Sequence, residues 1–197
     1  MKILLATWNK TKVNWLSNGF SKLDLPIIPL DKNQINDVEE TGSTCSENAL
    51  IKVNTIGALK NTIIIGEDSA LSIDALNGFP GVKTVRWMNG TDDNRSFKIL
   101  EMMKEIPVEE RGAKFISSLA LLFPTGKTKI LEGMMPGKIS TKLVGEEGKG
   151  YQRIFLLDNG KAIAESESGL VRENDHRDQA ITKAISKINI WLQQVEK

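Results

Sequence analysis

The sequence predicts a mixed α/β fold, from the order in which its hydrophobic patterns change. Strand-like and helical stretches alternate through the first half, a hairpin region fills the middle, and an amphipathic helix closes the chain. Lys2 to Ala6 reads as a first strand and leads through Thr7-Trp8-Asn9 into a helix. In that helix Val13, Leu16, Phe20 and Leu23 recur at spacings of three and four. Pro26 and Pro29 bracket an extended piece. Thr44-Cys45-Ser46-Glu47 fits a capping box, and it opens a helix with Ala49, Val53 and Ile56 on its apolar face.

Ile63-Ile64-Ile65 is an unbroken aliphatic triplet, the signature of a strand covered on both faces. Gly78-Phe79-Pro80-Gly81 is a turn. Thr91-Asp92-Asp93 caps a helix carrying Phe97, Leu100 and Met103, which stops before Pro107. Ala113 to Phe123 is a long strand, and Pro124-Thr125-Gly126 turns the chain into a second one around Ile130 and Leu131. Strand-like pieces follow at Lys138 to Leu143 and Arg153 to Leu157. Ile181, Ile185, Ile188, Leu192 and Val195 mark the face of the last helix. No linker-like composition divides the chain, so residues 1–197 are expected to form a single domain.

Composition narrows the function classes. The chain has 197 residues, 40% of them hydrophobic, enough for a real core. Its formal net charge of +1 favours neither a nucleic-acid polymer nor an anionic membrane as partner, since both call for a basic excess. The single cysteine, Cys45, cannot form an internal disulfide, and a reducing cytoplasm is the expected setting. No apolar run reaches the length of a membrane span, and the first apolar stretch is too short for a signal peptide.

The chemistry-bearing residues are clustered. Glu67, Asp68 and Ser69 follow the aliphatic triplet, where strand ends of open α/β sheets present ligand sites. Two carboxylates there can hold a hard cation such as Mg²⁺, and a solvated acidic turn is the competing reading. Thr7, Asn9 and Lys12 lie where the first strand meets the first helix; they fit an anion site at a helix start or an ordinary cap with solvated lysines. Glu39-Glu40-Thr41-Gly42 brings a second acidic pair ahead of the capped helix, for a shared cation or for the helix dipole. Tyr151, after the flexible Gly145–Gly150 stretch, fits either stacking on a planar ligand or packing in the core. His176, the only histidine, stands between Asp175 and Arg177 at a helix start. No serine or cysteine pattern points to a covalent nucleophile, and no cluster has zinc spacing.

Taken in order, these blocks resemble the inosine triphosphate pyrophosphatase family. Ala6-Thr7-Trp8-Asn9-Lys10-Thr11-Lys12 looks like that family's Thr-Gly-Asn-x-x-Lys opening. Glu39-Glu40-Thr41-Gly42 through Glu47-Asn48-Ala49 and Lys52 is similar to its next block. Glu67-Asp68-Ser69-Ala70-Leu71, Asp74-Ala75-Leu76, Gly78 to Val82 and Arg86 match its longest signature. Gly150-Tyr151, Ile154-Phe155, Ala164-Glu165 and His176-Arg177 resemble the later blocks.

The resemblance implies an elongated two-lobed α/β fold with a deep central cleft, assembled as a homodimer. It implies Mg²⁺-dependent cleavage of a nucleoside triphosphate into the monophosphate and pyrophosphate. By motif position Asp68 would be general base and metal ligand, with Glu39 near the same Mg²⁺. Thr7, Asn9 and Lys12 would hold the triphosphate and Ser69 would contact the nucleotide. Lys149, Gly150, Tyr151, Gln152, His176 and Arg177 would complete substrate binding.

The departures fall mainly on the base-recognition blocks. Trp8 and Ala70 stand where the family has glycine, and a tryptophan there can narrow the approach of backbone to phosphate. Lys149-Gly150-Tyr151-Gln152-Arg153 replaces Phe-Gly-Tyr-Asp-Pro, Val171 replaces a lysine with Arg172 beside it, and Asp175 replaces a serine. Losing a lysine donor weakens selection for a 6-oxo purine, while Asp175 adds an acceptor and Gln152 can both donate and accept. A shifted base preference is therefore expected; the alternative is a nucleotide-binding or partner-binding relative without turnover.

Overall fold

The computed structural model describes residues 1–31, 38–146, 148–165 and 174–195. Among them the elements run β1 (Lys2–Leu5), α1 (Lys10–Phe20), β2 (Ile27–Pro29), α2 (Cys45–Ile56) and β3 (Thr62–Ile73). There follow β4 (Pro80–Gly81), α3 (Asp92–Met102), β5 (Gly112–Leu122), β6 (Thr128–Ile139), β7 (Phe155–Leu156) and α4 (His176–Val195). The strands form a seven-stranded sheet ordered β2-β1-β3-β5-β6-β7, with β4 beside β3. β1 runs parallel to both β2 and β3, whereas β4 on β3 and β7 on β6 are antiparallel. The sheet is mixed, as the element order predicts.

The helix starts follow from local chemistry. Asn9 caps α1, its Oδ1 accepting the amides of Thr11 at 3.0 Å and Lys12 at 3.3 Å. The capping box at α2 is present in both directions, Thr44 accepting from the Glu47 amide and Glu47 from the Thr44 amide. Thr91 and Asn94 make the equivalent exchange at α3. Asp175 accepts the amides of Arg177 and Asp178 at the start of α4. Each arrangement satisfies amides that a helix start leaves without an intrahelical partner.

Two compact units are distinguishable: Met1–Ser69 with Ser117–Gly133 and Leu170–Lys197, and Ala70–Ile116 with Met134–Gly169. The first unit carries the double-faced strand that the triplet predicts. Ile63 and Ile65 pack with Leu16 and Phe20 of α1 and Ile181 and Ile188 of α4; Ile64 packs with Ala49 and Val53 of α2. Successive residues of a strand face opposite ways, so β3 is buried on both sides. β5 repeats the pattern, Leu119 and Leu121 toward one cluster and Ala120 and Leu122 toward the other.

In the second unit Leu71, Ile73, Ile99, Met103, Tyr151 and Phe155 form one core. Arg111 is buried there, donating to the carbonyls of Ile106 at 3.0 Å, Ser140 at 2.8 Å and Met103. Arg111→Met is expected to strand those acceptors and lower the unfolding free energy by about 2–4 kcal/mol. Urea denaturation checks this, and an unchanged midpoint would contradict it.

Three local expectations differ from the structure. β3 extends far beyond the triplet, so Glu67 and Asp68 lie inside a strand rather than in a turn past its end. The strand expected at Lys138 to Leu143 stops at Ile139, where the chain leaves the β6 ladder. Phe97, expected on the apolar face of α3, is 58% exposed, and Arg95, Ser96 and Ile99 take the buried side.

Candidate functional site

Because Glu67 and Asp68 are neighbours on one strand, they meet different helices. Glu67 shares its face with Ile63 and Ile65 and is reached by Lys12 of α1, whose Nζ lies 2.8 Å from Oε2. Its other oxygen accepts from Ser117 Oγ at 3.2 Å, on the matching face of β5. Asp68 shares its face with Ile64 and meets α2: Asn48 Nδ2 donates to Oδ2 at 3.1 Å and Lys52 Nζ to Oδ1 at 3.3 Å. Lys12 Nζ stands 3.9 Å from the same Oδ1.

Gly66 makes this approach possible. A Cβ at that position would sit 2.4 Å from the Ala49 carbonyl oxygen and 2.9 Å from Val53 Cγ1. Without a side chain there, α2 packs directly on the β3 backbone. Asn48 and Lys52, one turn apart, then point at Asp68 together.

Asn48 also joins a second segment. It is fully buried, and its Oδ1 accepts the Gly42 amide at 2.8 Å while its Nδ2 holds Asp68. The segment ending at Gly42 thereby brings in Glu40, whose Oε1 lies 2.8 Å from Lys52 Nζ. Glu39, the residue expected to join Asp68, is exposed. Of these two neighbours the inward one is Glu40, its side chain 19% exposed.

The two strand carboxylates are tuned in opposite directions. Burial pushes Glu67 up, but the Lys12 ammonium, with Arg177 and Lys52 behind it, outweighs burial and holds the carboxyl below the usual range. Burial pushes Asp68 up and prevails over the pull of Lys52 and Lys12. Lys12 is lowered by burial yet raised overall by Glu67, Asp68 and Glu40, which keeps it an ammonium. A carboxylate made more basic beside one kept firmly ionised is the kind of division of labour that hydrolytic sites use.

Burial, reinforced by Asp68 and Glu67, pushes the Cys45 thiol up to about 12, so it is no nucleophile at neutral pH.

The oxygen set suits a hard cation. Lys52 Nζ already rests among the Glu67 carbonyl oxygen, Glu40 Oε1 and Asp68 Oδ1 at 2.7, 2.8 and 3.3 Å, a positive charge in an all-oxygen cage. Among the described residues no three His, Cys, Asp or Glu side chains form a ready-made metal cluster. The oxygen donors of Asp68 and Glu40 suit a hard divalent cation better than a metal that prefers nitrogen or sulfur.

The other expected residues are placed as follows. Thr7 Oγ1 accepts the Asn9 amide at 3.2 Å, which shapes the β1–α1 turn; the half-buried Trp8 sits in it. Ser69 is half-buried next to Asp68. His176 is buried at the start of α4, and Arg177 lies over the Trp15 ring at 5.4 Å.

In the second unit Tyr151 is only 2% exposed, its hydroxyl donating to the Thr84 carbonyl at 2.6 Å and accepting from Trp87 Nε1 at 2.8 Å. Its ring packs in the core of that unit. Gly150 donates to Asp92 Oδ2 at 2.6 Å, and Gln152 Oε1 accepts the Lys149 amide at 2.9 Å, so that acceptor belongs to the turn. Arg153, standing in place of proline, pairs with Asp93 at 2.6 Å. Val171 and Arg172 lie outside the described residues.

Sequence reasoning assigned no role to Asn48, Lys52 or Ser117, and weighed Glu40 only as half of an acidic pair with Glu39. Asn48 and Lys52 carried a usable signal: polar residues spaced by four beside Ala49 and Val53, on the face that the helix buries.

Burial, with Arg177 beside it, lowers His176 to about 4. The folded state then binds fewer protons than the unfolded chain between about pH 6.5 and 4, and stability falls as pH drops through that window. Thermal denaturation should show His176→Asn flattening this acid-side decline, by a difference of the order of 3 kcal/mol at full expression. Parallel curves for the two proteins would contradict the assignment.

Comparison with known proteins gives concordant matches. The model of the Ham1 family matches residues 3–187. A protein of Halalkalibacterium halodurans named "Non-canonical purine NTP pyrophosphatase homolog" is 42% identical over 97% of each chain. One of Bacillus cereus named "dITP/XTP pyrophosphatase" is 38% identical, covering 97% of this chain and 96% of the other. Among solved structures, a HAM1 protein from Coxiella burnetii superposes with a TM-score of 0.86 at 30% identity, covering 96% of this chain and 98% of that one. The Staphylococcus aureus Ham1 protein gives 0.85 at 30% identity with the same coverage.

Proposed function

Because the chain belongs to the Ham1 family, we propose that it hydrolyses aberrant purine nucleoside triphosphates to the monophosphate and pyrophosphate with Mg²⁺. The relatives named as dITP/XTP pyrophosphatases support the substrate class. The observation that carries the reaction is the Asp68 carboxylate, held by Asn48 and flanked by Lys52 and Lys12.

Asp68 orients and deprotonates the attacking water, a role that its raised proton affinity favours. Lys12 offsets charge on the phosphate chain, and Glu67 keeps it aimed. Thr7 and Asn9 shape the turn at the start of α1, where the positive end of the helix dipole favours phosphate oxygens. Asp68 and Glu40 would hold the Mg²⁺, which would neutralise phosphate oxygens. Ser69, His176 and Arg177 supply further contacts from the same unit. No covalent enzyme intermediate is required.

The setting is a reducing cytoplasm, consistent with the lone buried cysteine, and the assembly a homodimer, which light scattering would test. No helix among the described residues is long and apolar enough to cross a membrane.

The base preference is shifted away from inosine and xanthosine, given Asp175 and Val171 at altered positions. A panel of nucleoside triphosphates with Mg²⁺, scored for pyrophosphate and free phosphate, is expected to show pyrophosphate release and a best substrate other than inosine or xanthosine triphosphate. A dominant preference for inosine or xanthosine triphosphate would overturn the shift. Tight nucleotide binding with no pyrophosphate release would favour the non-catalytic reading instead.

A further inference from the structure

We propose that the Lys52 ammonium is the resting occupant of the cation position, so that a divalent ion binds by displacing it. The proposal rests on the reading of this oxygen cluster as a cation site. Lys52 is only 8% exposed. Its Nζ donates to the Glu67 carbonyl at 2.7 Å and lies 2.8 Å from Glu40 Oε1 and 3.3 Å from Asp68 Oδ1. An ammonium has three N–H donors, and here it finds three oxygens from three residues. It is a satisfied ion, seated where a hard cation would take the same ligands.

The ammonium and a divalent ion cannot share that cage. Both need Asp68 Oδ1 and Glu40 Oε1, and their charges repel in a buried setting. Asp68 Oδ2 does not open as an alternative, since Asn48 already donates to it. The backbone around the cage is equally committed: Gly42 is tied to Asn48, and α2 rests on Gly66. What can move is the flexible four-carbon stem of Lys52. Displacement turns an inward structural charge into a free ammonium beside the cation and close to Lys12, which stands 3.9 Å from Asp68 Oδ1.

This arrangement couples two ligands. A divalent ion alone must expel an ammonium from three oxygens and then tolerate it nearby. A polyanion on the same side gives the expelled ammonium a partner and neutralises the added charge. Cation and polyanion therefore strengthen each other's binding, and by linkage the coupling is reciprocal. Lys52 is thus a positioning residue in the resting protein and a ligand for the polyanion in the loaded one.

The test uses nucleotide-free protein and reads no hydrolysis. Mn²⁺ binding followed by its paramagnetic resonance signal is expected to be weak in the wild type and roughly tenfold or more tighter in Lys52→Gln. In the wild type, an amine-acylating reagent followed by peptide mass spectrometry should label Lys52 several times faster once Mg²⁺ is added, because the amine leaves its cage. Equal Mn²⁺ affinity in the two proteins overturns the proposal. So does Lys52 labelling that Mg²⁺ leaves unchanged or slows, and this arm needs no variant to fold. If pyrophosphate release persists while either result is obtained, the displacement idea falls and the pyrophosphatase reading stands. A protein without hydrolysis that passes both arms has the reverse outcome.

Discussion

Asp68→Asn is expected to lower pyrophosphate release by roughly a thousandfold or more while the protein still folds. The substitution keeps the shape of the side chain and one carbonyl oxygen, so an acceptor remains for Asn48 or Lys52. It removes the charge that attracts a cation and the basicity that draws a proton from water. Folding should suffer little, because burial already works against the ionised form of Asp68. The measurements are steady-state pyrophosphate release with Mg²⁺ and a thermal melt of the same sample. Turnover close to that of the wild type would remove Asp68 from the reaction altogether.

Gly66→Ala is expected to damage both stability and activity from a position that touches no ligand. The new methyl would lie 2.4 Å from a main-chain carbonyl of α2 and 3.2 Å from Lys52 Cβ. Backbone cannot swing aside as a flexible side chain does, so α2 must lift from β3. Overpacking of this kind costs about 2–3 kcal/mol. The lift would also carry Asn48 and Lys52 away from Asp68, so kcat should fall further than KM rises. A melt within a degree or so of the wild type, with normal turnover, would show that the helix accommodates the methyl elsewhere.

These two positions differ in how far the sequence exposes them. Asp68 is visible without coordinates, as a carboxylate after an aliphatic triplet within a recognisable block. Gly66 looks like an ordinary break between strand and turn. Its function is to be absent, and only the helix crossing above it reveals that. The same contrast separates the adjacent carboxylates Glu39 and Glu40. Both fit a cation ligand by chemistry, but the Asn48 bond to Gly42 sets the segment's docking, and Lys52 meets Glu40. Tyr151 is similar: an aromatic after a glycine suits a ligand platform, yet its ring joins Ile73 and Phe155 in the core.

The helix caps, the double-faced strands, the mixed sheet and the family blocks were legible in the sequence because they depend on local spacing. Capping boxes, period-two burial and apolar stripes are written within a few residues of where they act. Tertiary structure alone decided which neighbour of each polar pair turns inward, which glycine a helix needs, and which ammonium fills the oxygen cage. Those outcomes are set by contacts between segments far apart in the chain, through distances of a few ångströms that no local pattern encodes.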